Sequence, residues 1–221
     1  FPKDGLTIAC QANFYRQQGL FEKADASWKK AIELTPNYSR IHSQYGRFLA
    51  ERLRYEEAEN EFRATIKLEP SDSNAYGHLG KVFEATNRFS DAETSYKKAI
   101  KLAPNTDWIY YNLWGLFERE GRFLDAENYF KDQIIRHPNN AYLFSLLYSS
   151  LEKQNRLDEA ALYIDQILKL DLENPKALQN SGIALERIGD FIEAEKLYRN
   201  AIAKTPNDSS LYYYLGIVLQ K

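Results

Sequence analysis

Apolar and small residues of this chain fall on helical faces that recur at a fixed interval. In residues 75–104, Tyr76, Leu79, Gly80 and Phe83 stand at i, i+3, i+4 and i+7, the spacing of one face of a helix. The polar stretch "ATNRF" interrupts the period. Ala92, Tyr96, Ala99 and Ile100 then mark one face of a second helix, and "LAPN" ends it, because proline cannot continue the ladder of backbone bonds. The pattern repeats along the chain. Pro36, Pro70, Pro104 and Pro138 lie 34 residues apart, with Pro206 on the same grid. Ala24, Ala58, Ala92, Ala126, Ala160 and Ala194 keep the same interval. Three residues before each alanine stands Phe21, Tyr55, Phe89, Phe123, Leu157 or Phe191. Four residues after it stands Trp28, Phe62, Tyr96, Phe130, Ile164 or Tyr198.

Three registers in phase predict six units, each of two antiparallel helices of about 12 to 14 residues. The units are 5–38, 39–72, 73–106, 107–140, 141–174 and 175–208, followed by the first helix of a seventh at 209–221. One helix pair cannot bury its apolar face alone, whereas stacked pairs share a continuous core, so 1–221 is expected to form a single repeat domain. The alanines serve close approach, since interaxial distance follows the side chains at the contact. The fifth unit departs most. Leu172 replaces its terminal proline and Pro175 follows three residues later, which singles out the connection between units five and six.

The unit "AYGHLGKVFEATNRFSDAETSYKKAIKLAP" resembles the tetratricopeptide repeat, with its W-x2-L-G-x2-Y, A-x3-F and P pattern. The resemblance spans essentially the whole chain. It implies an all-α, right-handed α-solenoid (superhelix) of helical hairpins, in which first helices line a concave groove and second helices cover the outside. It also implies a non-catalytic scaffold that binds a peptide or protein segment in that groove. Carried onto this chain, the family's groove positions fall on Asn13 and Arg16, then Arg40, Gln44 and Arg47. Asn74, Gly77, His78 and Lys81 follow, then Trp108, Tyr111 and Asn112, then Tyr142, Ser145 and Ser149, and last Asn180. The first half of the groove is then basic through Arg16, Arg40, Arg47 and Lys81, offset by Glu51 and Glu84. Trp108, Tyr111 and Tyr142 form an aromatic middle beside Gly77, Ser145 and Ser149, the type of anchor that concentrates interface energy. Asn112 and Asn180 are suited to hydrogen-bond a peptide backbone. One subtype is excluded and the signature of a second is incomplete. The cations that grip heat-shock-protein carboxylates are missing, because Ala9, Asn13, Gln44, Asn74 and His78 fill those positions. The asparagine ladder of sugar-transferase solenoids is broken by Cys10, Gln44, His78 and Leu146.

One slot breaks the repeat. It reads Ala12, Gly46, Gly80, Trp114, Tyr148, Gly182 and Gly216. In the same two units Gln133 and Ile167 replace the small residue found at Ala31, Ala99 and Ala201. Bulk at both slots is expected to splay units four and five, with Trp114 mostly buried and Gly115 giving room back.

Composition narrows the function. Hydrophobic residues make up 44% and charged residues 27%, with a formal net charge of −2. That balance argues against a nucleic-acid or membrane-surface binder, which needs an excess of Lys and Arg. A half-basic groove also disfavours RNA. No apolar run approaches the roughly 20 residues of a membrane span. Cys10 is the only cysteine, so no internal disulfide forms, and a cytoplasmic location is expected. No catalytic motif appears. His42, His78 and His137 lie in different units without ligand spacing and read as polar helix-surface residues, so no metal, cofactor or enzymatic activity is expected. Asn37-Tyr38-Ser39 and Asn207-Asp208-Ser209 read as polar turns. The chain lacks methionine, which implies processing or a piece of a longer protein. The alternative reading is accordingly an assembly or regulatory module of a larger protein. It would act through 209–221, where Tyr212, Leu215 and Leu219 have no second helix to cover them, by self-association or by packing against another domain.

Overall fold

The computed structural model describes residues 5–171, 173 and 175–221, with only the backbone of Lys176. Leu172, singled out above, lies outside the described residues. The chain divides into two compact units, Phe1–Leu116 and Phe117–Lys221. In the first stand α1 (Gly5–Gln17), α2 (Phe21–Leu34), α3 (Ser39–Glu51), α4 (Tyr55–Leu68), α5 (Ser73–Ala85), α6 (Phe89–Leu102) and most of α7 (Asp107–Arg119). The second holds the end of α7, then α8 (Phe123–Arg136), α9 (Ala141–Lys153), α10 (Leu157–Ala161), α11 (Ile164–Asp171), α12 (Pro175–Ile188), α13 (Phe191–Lys204) and α14 (Ser209–Val218). The expected helical hairpins are present, as α1/α2, α3/α4 and α5/α6 in the first unit and α12/α13 in the second.

Three of these hairpins close on a small-against-large contact. A Cβ on Gly80 would stand 2.6 Å from Cε1 of Tyr96, and one on Gly182 would stand 2.6 Å from Cε1 of Tyr198. Gly46 meets Phe62 in the same way. The first helix gives up its side chain so that a fully buried ring of the second helix can lie on its backbone. Burying such a ring contributes about 1.5–3 kcal/mol. Ala24, Ala58, Ala92, Ala126, Ala160 and Ala194 are also fully buried, as their role in close approach predicts.

The turn between paired helices carries a further register. Gly19, Leu53, Asn87, Gly121, Asn155 and Gly189 all take positive φ, at 34-residue intervals. This left-handed residue lets the next amide return to the helix, as in Arg54 N to Leu49 O at 2.9 Å and Arg88 N to Phe83 O at 2.8 Å. The arginine that donates this amide also ties neighbouring hairpins together. Arg54 bridges Asp25 and Glu57, Arg88 bridges Glu59 and Asp91, and Arg156 bridges Glu127 and Glu159. In each case one carboxylate lies in the preceding second helix and the other three residues on in the arginine's own helix.

Three expectations need correction. His42 is buried rather than a helix-surface residue. Its Nε2 donates to Pro36 O at 2.8 Å, and Nδ1 lies 2.6 Å from Glu61 Oε2. The Glu61 carboxylate raises the imidazole pKa above its ordinary value, against the opposing effect of burial, so His42 fastens the loop before α3 to α4. Trp114 is mostly buried, as expected, and its Nε1 is shielded and has no partner among the described residues. Gly115 gives no room back, because a Cβ there would meet nothing within 4 Å. The fifth repeat, expected to depart in its connection to the sixth but not in its helices, is irregular in a helix. Its second helix is broken between Ala161 and Ile164, where Tyr163 N bonds Ala160 O and Ile167 N bonds Tyr163 O.

Candidate functional site

In the first unit, the first helices bring several of the expected groove residues onto one face. Asn13 Nδ2 donates to Gln44 Oε1 at 3.4 Å, joining α1 to α3. Arg16 Nη1 grips both oxygens of Glu51 at 2.8 and 3.0 Å. The same offset of 35 residues recurs in the second unit, where Lys153 pairs with Glu118 and Arg187 with Glu152. Much of the face's charge is therefore neutralised between adjacent first helices. Arg47 and Lys81 break this rule. Residues 82 and 116, which their partners would occupy, are Val82 and Leu116, and neither cation pairs with a carboxylate among the described residues. Arg40 and Asn74 lie exposed near the starts of α3 and α5.

Between α3 and α5 lies an open cleft of about 370 Å³, with Arg47, Lys81 and Glu51 at its edge and Phe62, His78 and Tyr55 in its walls. Its aromatic wall is part of a stack. His78 lies between Phe62 at 5.6 Å and Trp108 at 5.2 Å, with interplanar angles of 20° and 27°. Burial pushes the His78 imidazole down to about 4, and the charges of Arg47 and Lys81 push the same way. At neutral pH the stack is therefore uncharged and the positive charge of the cleft sits on Arg47 and Lys81 alone.

Trp108 and Gly77 have a different role from the one their residue types suggest. The six-membered ring of Trp108 fills the space that a Cβ on Gly77 would occupy. The glycine accommodates the indole, leaving no small-residue floor for a ligand there. Asn112 Nδ2 is spent inside α7, donating to Trp108 O at 2.6 Å. Tyr111 remains 60% exposed and offers a free ring face.

In the second unit, Ser145 and Ser149 of α9 and Asn180 of α12 border a cavity of about 140 Å³ that also touches Tyr148 and Ser181. Tyr142 is part-buried at the start of α9, where its amide bonds the Asn140 side chain. Sequence reasoning misses this cavity. Tyr148 is conspicuous as a large residue in a glycine slot, but nothing in the sequence marks Ser181 as buried beside it. Among the described residues no group of three His, Cys, Asp or Glu side chains is placed to hold a metal ion, and no helix is long and apolar enough to cross a membrane.

Profiles described as tetratricopeptide repeat match residues 11–38, 49–106, 116–175 and 149–209. No curated protein matches the chain in sequence. Many solved structures do match in fold. Yeast Tom70 superposes with a TM-score of 0.70 at 24% identity, covering 98% of this chain and 46% of its own. PilF of Pseudomonas aeruginosa gives 0.59 at 16%, covering 96% of each chain. TTC0263 of Thermus thermophilus gives 0.59 at 20%, covering 83% of this chain and all of its own.

Proposed function

This chain belongs to the tetratricopeptide repeat family, and we propose that it is a non-catalytic scaffold whose first-helix faces bind an extended segment of a partner protein. Domains of this repeat generally serve as protein-interaction modules. The observation that carries the reading for this chain is the pair Arg47 and Lys81. They remain without carboxylates on a face where the neighbouring charges pair across hairpins, and they flank a cleft walled by Phe62 and His78. An aromatic wall beside unpaired cations suits an acidic residue followed by an apolar one, with Asn13, Arg40, Gln44 and Asn74 of the same unit as the track for the rest of the segment.

The experiment selects binders from a random displayed-peptide library on the whole chain and measures the enriched peptides by fluorescence anisotropy. Arg47→Ala with Lys81→Ala should weaken binding by about tenfold or more and reduce its salt dependence, with helicity unchanged. Equal affinity for the double variant would remove the cleft from the site.

A second reading rests on α14. Tyr212, Tyr213 and Leu219 are 50%, 66% and 58% exposed, which suits contact with another copy of the chain or a further domain. Light scattering at increasing concentration tests it, and a strictly monomeric chain would count against self-association.

A further inference from the structure

We propose that α14 is a receptor for an amphipathic helix of a partner protein, one that carries arginine, an aromatic residue, alanine and a second aromatic residue in the order Arg-aromatic-x2-Ala-x3-aromatic. The proposal rests on the reading of α14 as a contact surface and names what that surface takes. An empty notch and a half-satisfied carboxylate, on two different helices, point to the same occupant.

The notch is at Gly216, which stands in the slot of Gly46, Gly80 and Gly182. Each of those three glycines lies under a ring of its second helix, sixteen residues further on, at Phe62, Tyr96 and Tyr198. A Cβ on Gly216 would meet nothing within 4 Å. The residues flanking the slot tell the same story. Leu178 and Leu185, on either side of Gly182, are buried in the α12/α13 hairpin. Tyr212 and Leu219, at the same places around Gly216, are exposed. The other side of α14 is already engaged, because Leu211 and Val218 are buried where the helix packs on α12 and α13. The open face is therefore the one that a second helix covers in the regular hairpins, and its bare glycine fits an aromatic ring.

The carboxylate is on α13. The alanine that recurs every 34 residues is followed by Asp25, Glu59, Glu127 or Glu195. The first three are each held by two cations. One stands four residues on in the same helix, as Lys29, Arg63 or Lys131. The other comes from the start of the next second helix, as Arg54, Arg88 or Arg156. Glu195 has the first kind of partner in Arg199. Among the described residues nothing supplies the second kind. Each bridging arginine stands four residues before its own alanine, and in Arg54-Tyr55 and Arg88-Phe89 directly before a ring. A helix that reaches Glu195 with an arginine and Gly216 with a ring thus has the stated sequence order.

A second copy of this chain is a poor source of that helix. Phe62, Tyr96 and Tyr198 are fully buried over their own glycines, and Arg54, Arg88 and Arg156 each bridge two carboxylates. A copy would have to open one of its own hairpins to donate them. A partner helix has no such cost.

The probe is a fluorescein-labelled peptide of residues 87–104, NRFSDAETSYKKAIKLAP, which holds Arg88, Phe89, Ala92 and Tyr96 in the required order. A free helix of this length is marginal in water, so a second form is stapled between the exposed positions 90 and 94. Both forms are titrated with the whole chain and followed by anisotropy. Saturable binding of the stapled form is expected. Gly216→Leu fills the notch at a place where a side chain meets nothing, so the fold is kept, and it should weaken binding tenfold or more. Tyr96→Ala in the peptide should do the same. Glu195→Gln should weaken binding about threefold and reduce its salt dependence. Equal affinity for Gly216→Leu or for the Tyr96→Ala peptide, or no saturable binding of the stapled peptide to a folded chain, overturns the proposal. Dimerisation that Gly216→Leu abolishes, without peptide binding, also overturns it but keeps α14 as a contact between copies, so the proposal and the reading beneath it fail separately.

Discussion

The indole of Trp108 lies on the backbone of Gly77 and stacks on His78 at 5.2 Å. One aromatic side chain thus joins α7 to α5 at the wall of the cleft. Gly77→Ala should destabilise the chain by about 1–3 kcal/mol, the usual cost of overpacking. In a Trp108→Ala background the same methyl meets no ring and should cost far less. Thermal melts of the two single variants and the double variant measure the coupling. Additive effects would show that the two residues do not share the space.

The stack also predicts a pH dependence. The folded-state pKa of His78 is about 4 against an ordinary value of 6.5. Between these values the unfolded chain binds a proton that the folded chain refuses, so stability falls as pH drops through this window. His78→Phe keeps a ring in the stack and removes the proton site. The variant should lose less stability than the parent between pH 7 and pH 4, by up to about 3 kcal/mol. His42 acts in the opposite sense. Its raised pKa gives stability that is complete below 6.5 and lost as pH rises through the folded value. Denaturant titrations of parent and variant at matched pH isolate the His78 contribution.

Two glycines of similar helical setting should respond oppositely to alanine. At Gly80 the methyl meets Tyr96, which is fully buried and held by its Oη bond to Glu84 at 2.9 Å. The ring cannot yield, and the expected cost is about 1–3 kcal/mol. At Gly115 the methyl meets nothing, and the gain in helix propensity should stabilise by about 0.5–1 kcal/mol. Melting temperatures that move in the same direction for both would contradict the packing described above.

Glu127 provides a test of the arginine bridges. It is 3% exposed and accepts from Lys131 at 2.6 Å, Gln154 at 2.9 Å and Arg156 at 2.6 Å. Glu127→Ala leaves these donors without their acceptor and should cost about 3 kcal/mol. Glu127→Gln keeps the shape but loses the charge, so chemical denaturation should place it between the parent and the alanine variant.

The repeat is legible in the sequence because proline, alanine and aromatic residues each mark it with a distinctive chemistry. The hairpins follow from Ala24, Ala58 and Ala92 and from the rings that face Gly46 and Gly80. Groove chemistry is less legible, since residue type does not show what a side chain is already bound to. Arg16 counts as a free cation until Glu51 is found on it, and Gly77 reads as open space until Trp108 fills it. The cavity beside Tyr148 depends on how one irregular repeat relaxes around bulk in a glycine slot, which no local pattern specifies. The turn register is hidden for a related reason. Three of its six residues are Gly19, Gly121 and Gly189, and two are Asn87 and Asn155, but Leu53 carries no signal of a left-handed turn.

Leu53 therefore offers a stabilising substitution. Its φ is 60°, while the equivalent Gly19 reaches 73° without a Cβ to crowd the carbonyl. A residue with a Cβ in this region costs roughly 1–2 kcal/mol relative to glycine. Leu53 is 70% exposed, so its side chain returns little burial in exchange. Its conformation is imposed by the turn, in which Arg54 N must reach Leu49 O and the Arg54 guanidinium must reach Asp25. Leu53→Gly relieves the strain but increases the freedom of the unfolded chain by about 0.4–1 kcal/mol, leaving a net gain of up to about 1.6 kcal/mol. Leu53→Asn, which copies the turns at Asn87 and Asn155, tolerates positive φ without that entropic loss and should gain at least as much. Leu53→Val, branched at Cβ, should instead lose stability. If the order of melting temperatures were reversed, with valine above asparagine and glycine, the left-handed turn at residue 53 would be refuted.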